Sequence, residues 1–135
     1  MKSLTLLLTT LFILSSPVVW GEEVDYDDLI KRDGLYYKKF SEDVFSGTVC
    51  CEYRGKIVNG KRDGKWTEWL SSGHLWWRKN YKNGQLNGLH EGYYDNGVLF
   101  YRGHWKNGEM VGKWEYYKKD GTLNVVRDCD VEDCW

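Results

Sequence analysis

The chain has 135 residues, with 19 Lys and Arg against 20 Asp and Glu, a formal net charge of −1. Such a balance supplies no basic field to neutralise phosphates, which excludes a nucleic-acid-binding role on composition, and the length fits one domain beyond any leader. Membrane attachment through anionic lipid is likewise unsupported by so little net charge.

Residues 1–21 read as a signal peptide. Lys2 supplies a positive start, Leu4 to Leu14 form an apolar core too short for an ordinary span, and Val19-Trp20-Gly21 fits a small-residue cleavage site. Cleavage after Gly21 predicts a mature chain starting at Glu22. Without Lys2 it carries 19 − 1 = 18 basic residues against 20 acidic, a net −2. The expected location is secreted or periplasmic, in the cell envelope, with no stable membrane insertion after cleavage.

Residues 22–135 are expected to form one repeat domain. Its first segment, 22–32, is acidic, but Asp25-Tyr26-Asp27-Asp28 lacks the spaced oxygen ligands and turn glycine of a calcium loop, so it reads as a flexible leader. An opening hairpin follows around Asp33-Gly34. Residues 41–60 resemble a shortened repeat, with Ser46-Gly47 parallel to Asp63-Gly64 and Ile57 parallel to Leu75. Residues 29–60 are therefore an opening hairpin and a short capping unit.

Residues 59–123 carry the organising signal. Asn59-Gly60, Asn83-Gly84 and Asn107-Gly108 recur every 24 residues, in phase with Gly64, Gly88 and Gly112, with Gly73, Gly97 and Gly121, and with Leu75, Leu99 and Leu123. Four columns in one phase define an internal repeat, with units at 61–84, 85–108 and 109–132. Each unit holds two hairpin signals, Asn-Gly and one of Ser72-Gly73, Asn96-Gly97 or Asp120-Gly121, because tight turns need the positive φ that Gly takes freely. The runs between are rich in Trp, Tyr, Val and Leu and suit strands.

With two-residue turns throughout, strands fall at 74–82, 85–95, 98–106 and 109–119. The fold class is all-β: a single-layer antiparallel β-meander of tandem 24-residue β-hairpins. The same turns predict cross-strand pairs: Leu70 with Leu75, Glu68 with Trp77, Tyr81 with Leu86, Trp77 with His90, Trp105 with Met110 and Tyr101 with Trp114. Opposed residues share a face. One face then carries Trp66, Leu70, Leu75, Trp77, Tyr81, Leu86, Tyr94, Leu99, Tyr101, Trp105, Met110, Trp114 and Leu123 as core. The other mixes aromatics with charge through Trp69, Trp76, Arg78, Tyr93, Phe100, Arg102 and Tyr117. After Val126 the pattern fades into an acidic tail, read as a poorly paired C-terminal cap.

The three units N-G-K-R-D-G-K-W-T-E-W-L-S-S-G-H-L, N-G-Q-L-N-G-L-H-E-G-Y-Y-D-N-G-V-L and N-G-E-M-V-G-K-W-E-Y-Y-K-K-D-G-T-L resemble MORN repeats, most closely the bacterial variant of secreted and antitoxin-like proteins. The resemblance covers residues 33–125. It implies successive β-hairpins in one extended, curved sheet, and a role in recognition or, as an alternative, in antitoxin-like immunity.

Four cysteines allow three disulfide pairings in an exported chain. Adjacent strand side chains point to opposite faces, which opposes Cys50–Cys51. Pairing the two ends of an elongated sheet opposes the expected distances. Cys129–Cys134 closes a short loop and needs no long-range geometry. The spacing matches no zinc ribbon, and no cofactor is expected. His74, His90 and His104 stand in no catalytic arrangement, and neither a phosphate loop nor H-E-x-x-H occurs, so the chain reads as non-enzymatic. The aromatics have two readings. A one-layer sheet needs large side chains to cover itself, each well-buried ring contributing about 2–3 kcal/mol. Alternatively, Trp69, Trp76, Arg78, Tyr93, Phe100, Arg102 and Tyr117 form a contact stripe for a protein partner. Glycan binding is a further alternative, on the likeness of Gly112-Lys113-Trp114-Glu115-Tyr116-Tyr117 to aromatic hairpin modules.

Overall fold

The computed structural model describes residues 21–134. Apart from Gly21, the signal-peptide segment lies outside the described residues. The fold is all-β. Strands β1 (Glu22–Asp25), β2 (Leu29–Arg32), β3 (Leu35–Lys38), β4 (Gly47–Cys50), β5 (Tyr53–Val58), β6 (Lys61–Trp69), β7 (Leu75–Lys82), β8 (Gln85–Tyr93), β9 (Leu99–Lys106), β10 (Glu109–Tyr117) and β11 (Leu123–Asp128) follow one another, with one 3₁₀ turn at Tyr26–Asp28. Nine of them form a single open sheet in the order β1-β4-β5-β6-β7-β8-β9-β10-β11, and β2-β3 form a separate hairpin. From β4 onward neighbours are antiparallel. The expected flexible leader instead supplies β1, which joins β4 in parallel.

Two kinds of turn alternate along the meander. Asn59-Gly60, Asn83-Gly84 and Asn107-Gly108 are two-residue turns with positive φ at both positions, the type I′ geometry that Asn-Gly favours. The other set is one residue longer than expected. Tyr94 N–H donates to Val98 O and Gly97 N–H to Tyr94 O, and the same bonds recur at Leu70–His74 and Lys118–Thr122. Only the glycine takes positive φ there, as in a type I turn closed by a glycine bulge.

The longer turns and two sets of β-bulges revise the expected register. Tyr81↔Leu86, Glu68↔Trp77 and Trp105↔Met110 form as expected. Leu75 instead faces Trp69, Trp77 faces Gly92, His90 faces Lys79, and Tyr101 faces Tyr116. One bulge lies at each of Gly64, Gly88 and Gly112, all with positive φ. There four residues span what two span on the partner strand, as between Val111 and Glu115 opposite His104 and Arg102. An insertion of two keeps the faces in phase, so Trp66, Trp77 and Trp114 stay buried on the core face despite the register error, while Leu123, expected there too, is 53% exposed.

The core lies at the N-terminal end. Val24, Leu29, Tyr36, Phe45, Val49, Ile57, Trp66 and Trp77 form its buried cluster, with Tyr26, Tyr53 and Tyr81 against it. Leu29 and Tyr36 come from the β2–β3 hairpin, which packs into this cluster and is tied to the β5–β6 turn by Tyr36 N–H donating to Gly60 O at 2.8 Å. Arg62 joins hairpin and sheet: its guanidinium sits 4.4 Å from the Trp66 ring centre and 5.3–5.7 Å from Tyr26, Tyr81 and Tyr36, donating to the Tyr81 and Tyr26 hydroxyls at 3.2 and 3.0 Å. The nine-stranded sheet is the single open layer expected, with the β2–β3 hairpin added to it at the N-terminal end.

The C-terminal end is better paired than the fading pattern predicts. β11 runs on to Asp128, and the Cys129–Cys134 disulfide, with Cα atoms 5.4 Å apart, closes a loop that folds back on β10. Cys129 N–H donates to Gly112 O, and Gly112 N–H and Asp128 N–H donate to the Asp130 and Glu132 carboxylates at 2.9 Å. The acidic tail thereby supplies acceptors that a further strand would otherwise provide.

Candidate functional site: an aromatic groove beside an Arg–Glu–Tyr ladder

Bulges place the aromatic side chains. Glu68↔Trp77 is followed by Trp69↔Leu75, leaving Trp76 as an inserted residue. Gly92↔Tyr101 followed by Tyr93↔Leu99 leaves Phe100 in the equivalent place, 24 residues on. Simple alternation puts Phe100 on the face opposite Tyr101. The structure sets their ring centres 5.4 Å apart, with Tyr94 4.8 Å from Phe100 on its other side. An inserted residue twists the strand locally and redirects its side chain. Trp76 and Phe100 remain 45% and 40% exposed.

Trp76, Tyr93, Tyr94, Phe100 and Tyr101 line one groove of about 460 Å³ floored by Gly92. Gly92 is required: a Cβ there would lie 2.4 Å from the Tyr101 ring. Lys119 and Asp95 edge the groove as an ion pair at 3.3 Å, with the Lys119 ammonium 5.7 Å from the Tyr94 ring centre.

Beside the groove runs a ladder of polar side chains at the repeat spacing. Arg78 Nε donates to Glu91 Oε2 at 2.7 Å, its Nη2 bonds the same oxygen, and Tyr93 O–H donates to it at 2.8 Å. One unit further on, Arg102 Nε and Tyr117 O–H both donate to Glu115 Oε2, at 2.5 and 2.6 Å. One unit earlier, Arg54 stacks 5.4 Å from the Trp69 ring centre and Trp69 Nε1–H donates to Thr67 Oγ1. The hydrogen bonds to Tyr117 and Arg102 hold the Glu115 carboxyl below its ordinary range. Bonding to Glu91 raises the Arg78 guanidinium, and burial followed by Glu91 raises the Tyr93 phenol.

The seven residues singled out from sequence thus divide. Trp76, Tyr93 and Phe100 meet in the groove. Arg78, Arg102 and Tyr117 are committed to the ladder, which Tyr93 also joins, and Trp69 stands at its far end. Sequence reasoning missed Glu91 and Glu115, the centres of the ladder. Their signal was the recurrence of Arg, Glu and Tyr at 78, 91, 93 and 102, 115, 117. It also missed Tyr94 and Lys119, which only the bulges bring together.

His90 serves the sheet. It is buried, and Trp105 Nε1–H donates to its Nδ1 at 2.7 Å. An indole nitrogen can only donate, so neutral His90 carries its proton on Nε2 and donates to the Tyr101 hydroxyl at 3.1 Å. Burial, then the charge of Lys79, pushes its pKa down to about 4. Both ring nitrogens are engaged, which leaves this imidazole no lone pair for a base or a metal.

Among the described residues one group of possible metal ligands converges: Asp25, Cys50 and Cys51, within 4.8 Å of one another. No helix among the described residues is long and apolar enough to cross a membrane. Comparison with protein-family models, with curated proteins and with solved structures finds no match for the chain.

Proposed function

We propose that this chain is an exported, non-enzymatic scaffold of MORN-like β-hairpin repeats that docks a partner protein through the groove around Trp76 and Phe100. The observation that carries this reading is the groove itself. Two large apolar side chains stand half exposed among three tyrosines, beside an ion pair, on a rigid strand pair. Rigid aromatic anchors ringed by polar groups are what protein interfaces favour. The ladder fits a supporting role, since it fixes the flanking Tyr93 without needing a ligand.

A second reading is glycan binding. The rings of Trp76, Tyr94 and Phe100 could stack on sugar faces, with Asp95 and Lys119 meeting hydroxyls. Capture from the native envelope fraction, using the full chain and its Trp76→Ala and Phe100→Ala variants, separates the readings. Each substitution should weaken protein capture by about 10-fold, or 1–2 kcal/mol, with the urea midpoint nearly unchanged. Retention on immobilised cell-wall polysaccharide, lost in the same variants, would favour the glycan. Capture unaffected by either substitution would reject the groove as the site.

A further inference from the structure

Cys50 and Cys51 lie at the opposite end of the ladder from the groove. The objection to pairing them assumes that both sit in a strand. β4 ends at Cys50, and Cys51 opens the following turn with φ +75°. That left-handed backbone swings its side chain towards its neighbour's, and the two Sγ atoms stand 2.6 Å apart. Two thiolates on one zinc, each about 2.3 Å from the ion at a tetrahedral angle, would stand roughly 3.8 Å apart. A disulfide spans about 2.05 Å. The sulfurs are therefore placed for each other rather than for an ion.

We propose that Cys50 and Cys51 are a redox site that closes into a vicinal disulfide by exchange with an anionic low-molecular-weight disulfide. Both cysteines open onto a groove of about 970 Å³ on the sheet, lined among others by Arg54, Lys56, Lys65 and Trp69, with Glu23 and Asp63. Arg54, Lys56 and Lys65 stand against Glu23, Asp63 and Asp25, and Arg54, bonded to Cys51 O, is the cation beside the pair that an anionic oxidant would meet. The Cys50 thiolate attacks one sulfur of that disulfide, forming a mixed disulfide and releasing one thiolate. The Cys51 sulfur then attacks the Cys50 sulfur, closing the ring and releasing the second thiolate. Two electrons pass to the oxidant, and the two thiol protons leave to solvent, that of Cys51 past the Asp25 carboxylate, which lies within 4.8 Å of its sulfur. The contact with Cys50, then the nearby Asp25 carboxylate, raises the Cys51 thiol to about 12, which gives the first attack to Cys50. The turn is tied to its surroundings on both sides: Arg54 Nε donates to Cys51 O at 3.1 Å and Trp69 N–H to Glu52 O at 2.8 Å.

The test takes the full chain, reduced and then exposed to oxidised glutathione without denaturant, blocked with iodoacetamide and digested with trypsin. The peptide covering 40–54 holds both cysteines and neither Cys129 nor Cys134. It should lose two hydrogens, take no alkyl label and retain no glutathione. The Cys51→Ser chain should stop at a mixed disulfide on Cys50. As a second measurement, phenylarsine oxide, which needs two adjoining thiols, should bind that peptide's pair one to one in the reduced chain and should not bind it in Cys51→Ser. Full alkylation of both cysteines after oxidation, glutathione persisting on the unsubstituted chain, or a link from 40–54 to the peptide beginning at Asp128 would each overturn the proposal.

Discussion

The two ends of the sheet use equivalent positions differently. At the N-terminal end, Ile57, Trp66 and Trp77 share one buried cluster with Leu29 and Tyr36 of the β2–β3 hairpin, at 0%, 0% and 8% exposure. Their counterparts 24 or 48 residues on, Trp105, Trp114 and Tyr101, have no such cover, and Trp105 and Tyr101 are only half buried. Trp114 still reaches 2% exposure, because His90, Tyr101 and Trp105 surround it with ring centres at 5.8–6.0 Å. A one-layer sheet can therefore bury one aromatic per unit among its own neighbours, but a second layer is needed to bury the row. The linking position changes with the cover: Arg62 bridges four rings at the covered end, where Leu86 and Met110 stand half buried at the open end.

Glycine controls how this burial works. A Cβ at Gly55 would lie 2.2 Å from the Trp66 ring, and one at Gly103 would lie 2.1 Å from the Trp114 ring. Each indole occupies the space its partner strand leaves empty. The middle unit has Lys79 opposite instead, and the residue is His90, a smaller ring. The Lys79 ammonium turns to the Trp77 ring, 4.2 Å from its centre.

The largest expected effect tests this contrast. Trp66→Ala should cost about 4–5 kcal/mol and Trp114→Ala about 3 kcal/mol in urea unfolding, since the covered site cannot collapse around the cavity. A larger loss at Trp114 would break the comparison.

Acid should act on the open end next. His90 has a folded pKa of about 4 against about 6.5 when unfolded. The unfolded chain binds the proton first, so stability is complete above pH 6.5 and falls as the pH drops towards 4. The loss should be about 2–3 kcal/mol, because a protonated Nδ1 would face the Trp105 N–H. His90→Gln should flatten that pH dependence. An unsubstituted chain equally stable at pH 7 and pH 4 would show that His90 is not held neutral.

The ladder sharpens the comparison on a smaller scale. Glu91 is 8% exposed, while the Glu115 side chain is 32% exposed. Glu91→Gln should therefore cost about 1–2 kcal/mol and Glu115→Gln about 0.5 kcal/mol, in line with buried and surface ion pairs. Equal losses would mean that burial does not grade the two rungs.

Much of this was legible in the sequence, for definite reasons. Asn-Gly at 24-residue spacing fixed the two-residue turns and hence the strands, because few residues tolerate two successive positive φ values. The core face followed from Trp66, Trp77, Tyr101 and Trp114, and the short Cys129–Cys134 loop needed no distant partner. The bulges at Gly64, Gly88 and Gly112 were not legible, since a glycine column marks turn and bulge alike. Missing them misplaced Trp77 against His90 and Tyr101 against Trp114, and missing the separate bulge that inserts Phe100 beside the Gly97 turn put Phe100 on the wrong side of Tyr101. The packing of the β2–β3 hairpin into the core was hidden because Leu29 and Tyr36 show no sign of what they pack against. The Cys50–Cys51 contact was hidden because φ at Cys51 is set by where β4 ends.

Native-state hydrogen exchange read strand by strand tests the central contrast most directly. The amides of β5, β6 and β7, which carry the covered core, should exchange slowest and open only with global unfolding. Those of β9, β10 and β11 should open at lower free energy, with the Cys129–Cys134 loop slowing the last strand. Uniform protection across the nine strands, or slowest exchange in β9 to β11, would contradict the account, because burial against β2–β3 would then not be what anchors the sheet.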